Sequence, residues 1–388
     1  MKSVKALACA AGLAASACAD NAGPTTVDLA QRKARDLAAW VSRTNIYAAT
    51  GTNAFAPAAA RAQHLVYVPN SLDGTVSVID PSTYEVVRTF RTGALPQHVV
   101  PAHDLDTLWV ANNDGNTLTA IDPFTGREGG TIPADDPYNL YFTPDGRWAI
   151  VVAEKRQRLD FRDPHTMKLV ESVPTTCEGI DHLEFSPDGS YLIATCEFNG
   201  QLVKLDLATR RVVGYLTLDP QKLRDRAMPQ DIRSSADGRV FYVADMMADG
   251  VWLVDPDAFQ RTGFIHTGRG AHGIMPSRDG TRMYVTNRGW HTIIGGRRGP
   301  GSVSVVDPAT NRVVGRWPIP DGGSPDMGSV SPDGRELWVS GRYDNEVYVF
   351  DTQAGRLTHR IEVGWQPHGL CFWPQPGRYS LGHTGNMR

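Results

Sequence analysis

Between residues 64 and 373, apolar positions come in runs of four to six residues, set off by polar ones. Residues 301–351 show the pattern most plainly, with Val303 and Val305, Val313 and Val314, Leu337 and Val339, and Val347 and Val349 as paired apolar positions. Alternation over such short runs, interrupted by Asp-Pro, Pro-Asp-Gly or Asp-Asn, predicts short antiparallel strands in succession. In the turn Pro332-Asp333-Gly334, proline presets the first dihedral, aspartate can bond its own backbone, and glycine accepts a positive φ. Four such strands form a sheet with two open edges and an apolar face it cannot bury alone.

The unit repeats. A strand ending in aspartate recurs at Asp80, Asp122, Asp163, Asp206, Asp255, Asp307 and Asp351, spaced 42, 41, 43, 49, 52 and 44 residues apart. The Asp-Gly turn ahead of the second strand recurs at Asp145, Asp188, Asp237, Asp279 and Asp333, with a degenerate version at Asp104. Four strands per ~40–45 residues is the spacing of propeller blades. The first copy begins with its second strand, at residues 65–68, and the missing inner strand stands at the far end, at residues 368–373. Pairing the two termini in one blade removes the last open edge. The expected fold is therefore all-β: a seven-bladed β-propeller over residues 64–373, four antiparallel strands per blade, with one short helix outside it.

The segments ending YVPN at Asn70, YVADM at Met246, YVTN at Asn287 and WVSGR at Arg342, together with the SPDG and IDPxT turns, resemble the YVTN-repeat β-propellers. The resemblance covers residues 64–373. At repeat level it extends to the haem d1-binding domain of cytochrome cd1-type nitrite reductases and to periplasmic haem d1 assembly proteins. It implies the propeller, and it admits enzymes, cofactor carriers and plain binding proteins alike.

Function then turns on what the blades present at the axis. The inner strand of a blade starts at the face where the loop between its second and third strands ends, because antiparallel neighbours reverse direction. The residues six or seven before each Asp-Gly turn should ring that axial mouth. They are Gln97/His98, Tyr138/Asn139, Asp181/His182, Gln230/Asp231, His272/Gly273, Asp326/Met327 and His368/Gly369. Imidazoles and carboxylates converging on one opening suit a metal ion or a cofactor wanting axial ligands. His98, His182, His272, His368, Asp181, Asp231 and Asp326 are the candidates. The alternative is structural, since a repeat propagates whatever residue stands at a position, and each histidine could bond a neighbouring blade. The long loop at residues 288–300 adds Arg288, Arg297 and Arg298 as a clamp for the carboxylates or phosphates of a planar ligand, and Trp290 as a stacking surface. The alternative there is a solvated insertion. Residues 268–273 read G-x-G-x-x-G but lie between two strands, so the dinucleotide reading fails.

Composition and the termini place the protein. Net charge is −3 over 388 residues, which argues against nonspecific nucleic-acid binding. Lys2 and Lys5 precede an apolar stretch too short to span a bilayer, and Ala15-Ser16-Ala17 is a small-residue cleavage site, so residues 1–17 read as a signal peptide. Residues 13–18 resemble a bacterial lipoprotein box, which implies acylation of Cys18; plain cleavage is the alternative. Residues 18–63 carry a helix at 26–43 and a linker. The protein is expected in the periplasm or at the outer cell surface, touching membrane only through Cys18. Cys177 and Cys196 stand at one face and are expected to form a disulfide, with free thiols or a soft-metal site beside His182 as alternatives. Residues 374–388 form a tail expected to fold across the opposite face, with no role assigned.

Two readings follow. The first is a monomeric, exported, lipid-anchored binding or scaffold protein of the cell envelope, taking a protein or a small anionic ligand at the axial mouth. The second is a periplasmic cofactor or metal protein, holding a haem-type tetrapyrrole, copper or iron for cofactor assembly or electron transfer. No catalytic motif stands out; an enzyme of this kind would be a cofactor-dependent oxidoreductase.

Overall fold

The computed structural model describes residues 45–219 and 227–388. The signal segment, Cys18 and the helix expected at 26–43 lie outside the described residues. Seven four-stranded antiparallel sheets make up the propeller. Inner strands run Pro96–Pro101, Pro137–Phe142, Ile180–Phe185, Pro229–Ser234, Ala271–Pro276, Pro325–Val330 and Cys371–Trp373. The last of these closes the ring, pairing Leu65 with Trp373, Val66 with Phe372 and Tyr67 with Cys371. The closing strand is shorter than expected. His368 and Gly369 stand ahead of it, and Gly369 instead bridges His98 of the next blade.

The repeated residues are turn chemistry. Each of the seven strand-ending aspartates accepts a backbone N–H two or three residues on, Asp80 from Ser82, Asp122 from Phe124, Asp163 from Thr166, Asp206 from Thr209, Asp255 from Asp257, Asp307 from Ala309 and Asp351 from Gln353. In the five Asp-Gly turns, a Ser or Thr hydroxyl two residues earlier donates to the aspartate over 2.6–2.8 Å. The asparagine that ends YVPN at Asn70 and WVAN at Asn112 pins its strand to the next. Asn70 Nδ2 donates to Thr75 Oγ1 and Ser77 Oγ, both at 2.9 Å, and Asn112 Nδ2 to Thr117 Oγ1 and Thr119 Oγ1 at 3.1 and 3.0 Å.

Apolar clusters lie between neighbouring blades, as a sheet with one greasy face requires. One packs Tyr141 and Phe161 against Phe185 and Leu192 of the next blade, around a disulfide joining Cys177 to Cys196. The cysteine pair is therefore not a thiol metal site. Cys371 is a free, buried thiol.

The chain on either side of the ring folds onto the face opposite the mouth. Ile46 N–H donates to Ala236 O and Asn53 N–H to Pro332 O, both at Asp-Gly turns, and Phe55 bridges Gly377. The tail then goes further than a covering. It doubles back, Ser380 bridging Met387, and enters the axis. There His383 N–H donates to Leu140 O, Ser329 Oγ to Thr384 O, and Arg388 to Glu184, so one hairpin touches three inner strands.

Candidate functional site

In six of the seven inner strands the pairing register breaks at or beside the ring pair, between Pro96 and His98, Pro137 and Asn139, Ile180 and Leu183, Pro229 and Ile232, Ala271 and Ile274, and Pro325 and Gly328. A regular strand sends successive side chains to opposite faces, whereas a bulge re-aims one of them. Both members of a pair can then serve the axis, and they form two tiers.

The upper tier is built on Asp326. Its carboxylate accepts from Arg288 Nε at 2.8 Å and Nη2 at 2.7 Å, lies 2.8 Å from His272 Nδ1, and bonds His368 Nδ1 at 2.7 Å. A second guanidinium, Arg342, stands 4.0 Å off. His368 Nε2 meets the Tyr138 hydroxyl at 3.2 Å. Burial alone would raise Asp326, but Arg288 and the two imidazoles outweigh it and hold the carboxyl well below its usual range. Burial, with Arg288 beside it, pulls His272 down to about 4.

The lower tier gathers His98, His182 and His383. Ring centroids are 5.3 Å apart for His98 and His182, 5.1 Å for His98 and His383, and 4.7 Å for His182 and His383. His368 adjoins at 4.8 Å from His98. His98 Nδ1 bonds the Tyr138 carbonyl at 3.0 Å, and the Asn139 amide lies 3.2 Å from His182 Nδ1 and 2.9 Å from His383 Nδ1. Below them Asp231 pairs with Arg233 at 3.0 Å, and burial still pushes Asp231 up to about 6. Beside the mouth, Asp181, Glu154 and Glu197 crowd together. Burial and mutual repulsion raise Asp181 far above its normal range and Glu154 to about 8.

The four expected ring histidines and three ring aspartates thus converge on the axis. His383 joins them unannounced, because no repeat copies the tail and only the folded path brings it there. Two expectations need correction. The ring is not a lined opening: its five histidines are 0–2% exposed, packed against one another. Nor do the loop arginines form a clamp. Arg288 turns inward to Asp326, Arg298 makes a two-pronged pair with Glu346 at 2.7 and 3.0 Å, and Arg297 reaches the Asp344 carbonyl. Trp290 is packed under its own loop, where a Cβ on Gly299 or Gly295 would fall 2.3 or 2.7 Å from the indole. Each arginine found an acceptor that strand pairing had brought near, which spacing could not reveal.

The family model for YNCE-like beta-propellers matches residues 31–376. The chain belongs to that family. Against the YncE protein of Salmonella typhi it is 22% identical over 231 residues, covering 56% of this chain and 59% of the relative. It thus spans just over half the length of the YncE relatives it matches. Protein NirF of Pseudomonas aeruginosa is 32% identical over 68 residues, 18% of this chain and 17% of NirF. The solved structure of the dihydro-heme d1 dehydrogenase NirN in complex with DHE superposes with a TM-score of 0.59 at 15% identity, covering 82% of this chain and 76% of NirN, a likeness of fold alone.

The tetrapyrrole expectation can be tested for fit at the ring. An axial histidine needs one free ring nitrogen and an open plane beside it. His368 has both nitrogens engaged, His272 is turned to Asp326, and His98 is walled in by His182, His368, His383 and Tyr138 at 4.8–5.3 Å. The packed imidazoles do not accommodate a macrocycle.

Proposed function

We propose that this family member is a noncatalytic binding protein of the cell envelope, exported and held at a membrane through Cys18, whose axial mouth takes a small anion or the acidic group of a partner. The carrying observation is Arg342. Its guanidinium is largely buried and its Nε lacks a hydrogen-bond partner, while Nη1 reaches only Ser71 Oγ at 3.1 Å. Arg288 has already taken the nearer side of Asp326, so two cations share one carboxylate. Burial draws the Arg342 pKa down, the response of a cation short of counter-charge. A carboxylate or phosphate would satisfy the fork. The histidines and aspartates of the axis act mainly on one another in this reading, positioning Arg288 and Arg342.

The test is calorimetric titration of the exported protein with phosphate, pyrophosphate, citrate and an acidic peptide. One class should bind, and Arg342→Ala should weaken it by roughly tenfold or more, since hydrogen bonds to charged groups contribute about 1.5–3 kcal/mol. Equal affinity in the variant, or no binding of any anion, defeats the proposal. Membrane fractionation of Cys18→Ser tests the anchor separately, the variant leaving the membrane if Cys18 is acylated.

A further inference from the structure

The lower tier carries an inference independent of the anion site. We propose that His98, His182 and His383 together hold one late first-row transition ion, copper or zinc, in the propeller axis. A ring nitrogen from each of the three lies within 4.8 Å of the others, and all three side chains are fully buried. The Nε2 atoms of all three find no hydrogen-bond partner. For His98 the consequence is definite. Its Nδ1 faces the Tyr138 carbonyl, which can only accept, so Nδ1 carries the proton and Nε2 is a bare lone pair in the interior. A buried polar atom without a partner calls for an explanation, and a metal ion is one that a lone pair can meet.

The surroundings fit a ligand set. The Asn139 NH2 donates to Nδ1 of both His182 and His383, so one group orients two rings and leaves their ring protons on Nε2. Loading an ion at Nε2 moves those two protons to Nδ1 and turns the Asn139 amide oxygen towards them, the outer-shell contact that metal-binding imidazoles use. Both Asp181 carboxylate oxygens are buried without a hydrogen-bond partner, and Oδ1 is 3.2 Å from His182 Nε2 but poorly aligned to it. Asp181 therefore stands beside the three rings as a carboxylate facing His182. Three imidazoles select copper or zinc over calcium or magnesium, which prefer oxygen-only sets. His272 and His368 are excluded by their commitment to Asp326.

The three ligands come from two blades and the tail. The ion would thus tie the tail hairpin to the ring.

Protein produced in medium supplemented with zinc, and separately with copper, should retain one ion per chain after gel filtration, as read by elemental analysis. The retained element decides between the two. With copper, electron paramagnetic resonance should show coupling to imidazole nitrogens. His383→Ala should lose at least about tenfold in occupancy, while His165→Ala, an exposed control, keeps the ion. Circular dichroism establishes that the His383 variant is folded; if it is not, the wild-type measurement stands as the test. Wild-type protein holding less than about a tenth of an ion per chain with either metal overturns the proposal, as does a folded His383→Ala that keeps its ion.

Discussion

Replacing Asp326 with asparagine isolates the device that holds the axis together. The carboxylate has no solvent contact and meets Arg288 twice, at 2.7 and 2.8 Å, as well as His272 and His368. The amide keeps its shape but loses the charge, so Arg288 is left as a buried cation, and one side of the amide can no longer accept. Removing one partner of a buried pair costs about 3–5 kcal/mol, because the other charge is left uncompensated. Asp326→Asn should therefore lose about 4 kcal/mol in guanidinium unfolding followed by near-ultraviolet circular dichroism. Adding Arg288→Met should recover part of that loss, since an apolar side chain leaves no stranded charge. A loss under about 1 kcal/mol, or a double variant worse than the single, would refute the reasoning.

Three further outcomes are expected. In Gly369→Ala the new Cβ would stand 2.1 Å from His98 Cδ2, in a ring walled by three other imidazoles and Tyr138, so the variant should lose about 1–3 kcal/mol in the same unfolding assay. Cys177→Ser with Cys196→Ser opens a disulfide spanning 19 residues and should cost about 3 kcal/mol, seen as a lower guanidinium midpoint; an unchanged midpoint argues against the bond. His272 has a folded pKa near 4 against 6.5 unfolded, so the unfolded state takes up its proton first, and stability is lost as pH falls from 6.5 towards 4. Glu154, raised to about 8, works the other way, its contribution being lost as pH rises from 4.5 through 8. Unfolding free energies across pH should show His272→Gln flattening the acid limb and Glu154→Gln the alkaline one.

The propeller was legible because its information is local and repeated. Asp80, Asp122 and their five counterparts each close a turn with backbone two or three residues away, and the same bond seven times fixes both blade count and spacing. The seam followed from the lone second strand at the start. The ring positions were also readable from strand direction. What escaped was anything set by long-range packing. The tail carries His383 to the axis through bonds from His383 to Leu140, Thr384 to Gly328 and Arg388 to Glu184, all between residues far apart in sequence. Arg298 chose Glu346 and Trp290 its own glycines because the folded loop offered them. The packing of the histidine ring also depends on bulges that bring paired residues to the axis, which a simple alternation of strand faces does not foresee.

Chemical modification of histidine by diethylpyrocarbonate, mapped by mass spectrometry on the native protein, tests the gathering of five imidazoles at one buried axis most directly. His64, His165 and His266 are exposed and should react, while His98, His182, His272, His368 and His383 should stay unmodified until the chain is unfolded. Native-state modification of His383 at the rate of His64 would mean the tail does not enter the ring, and would contradict the account.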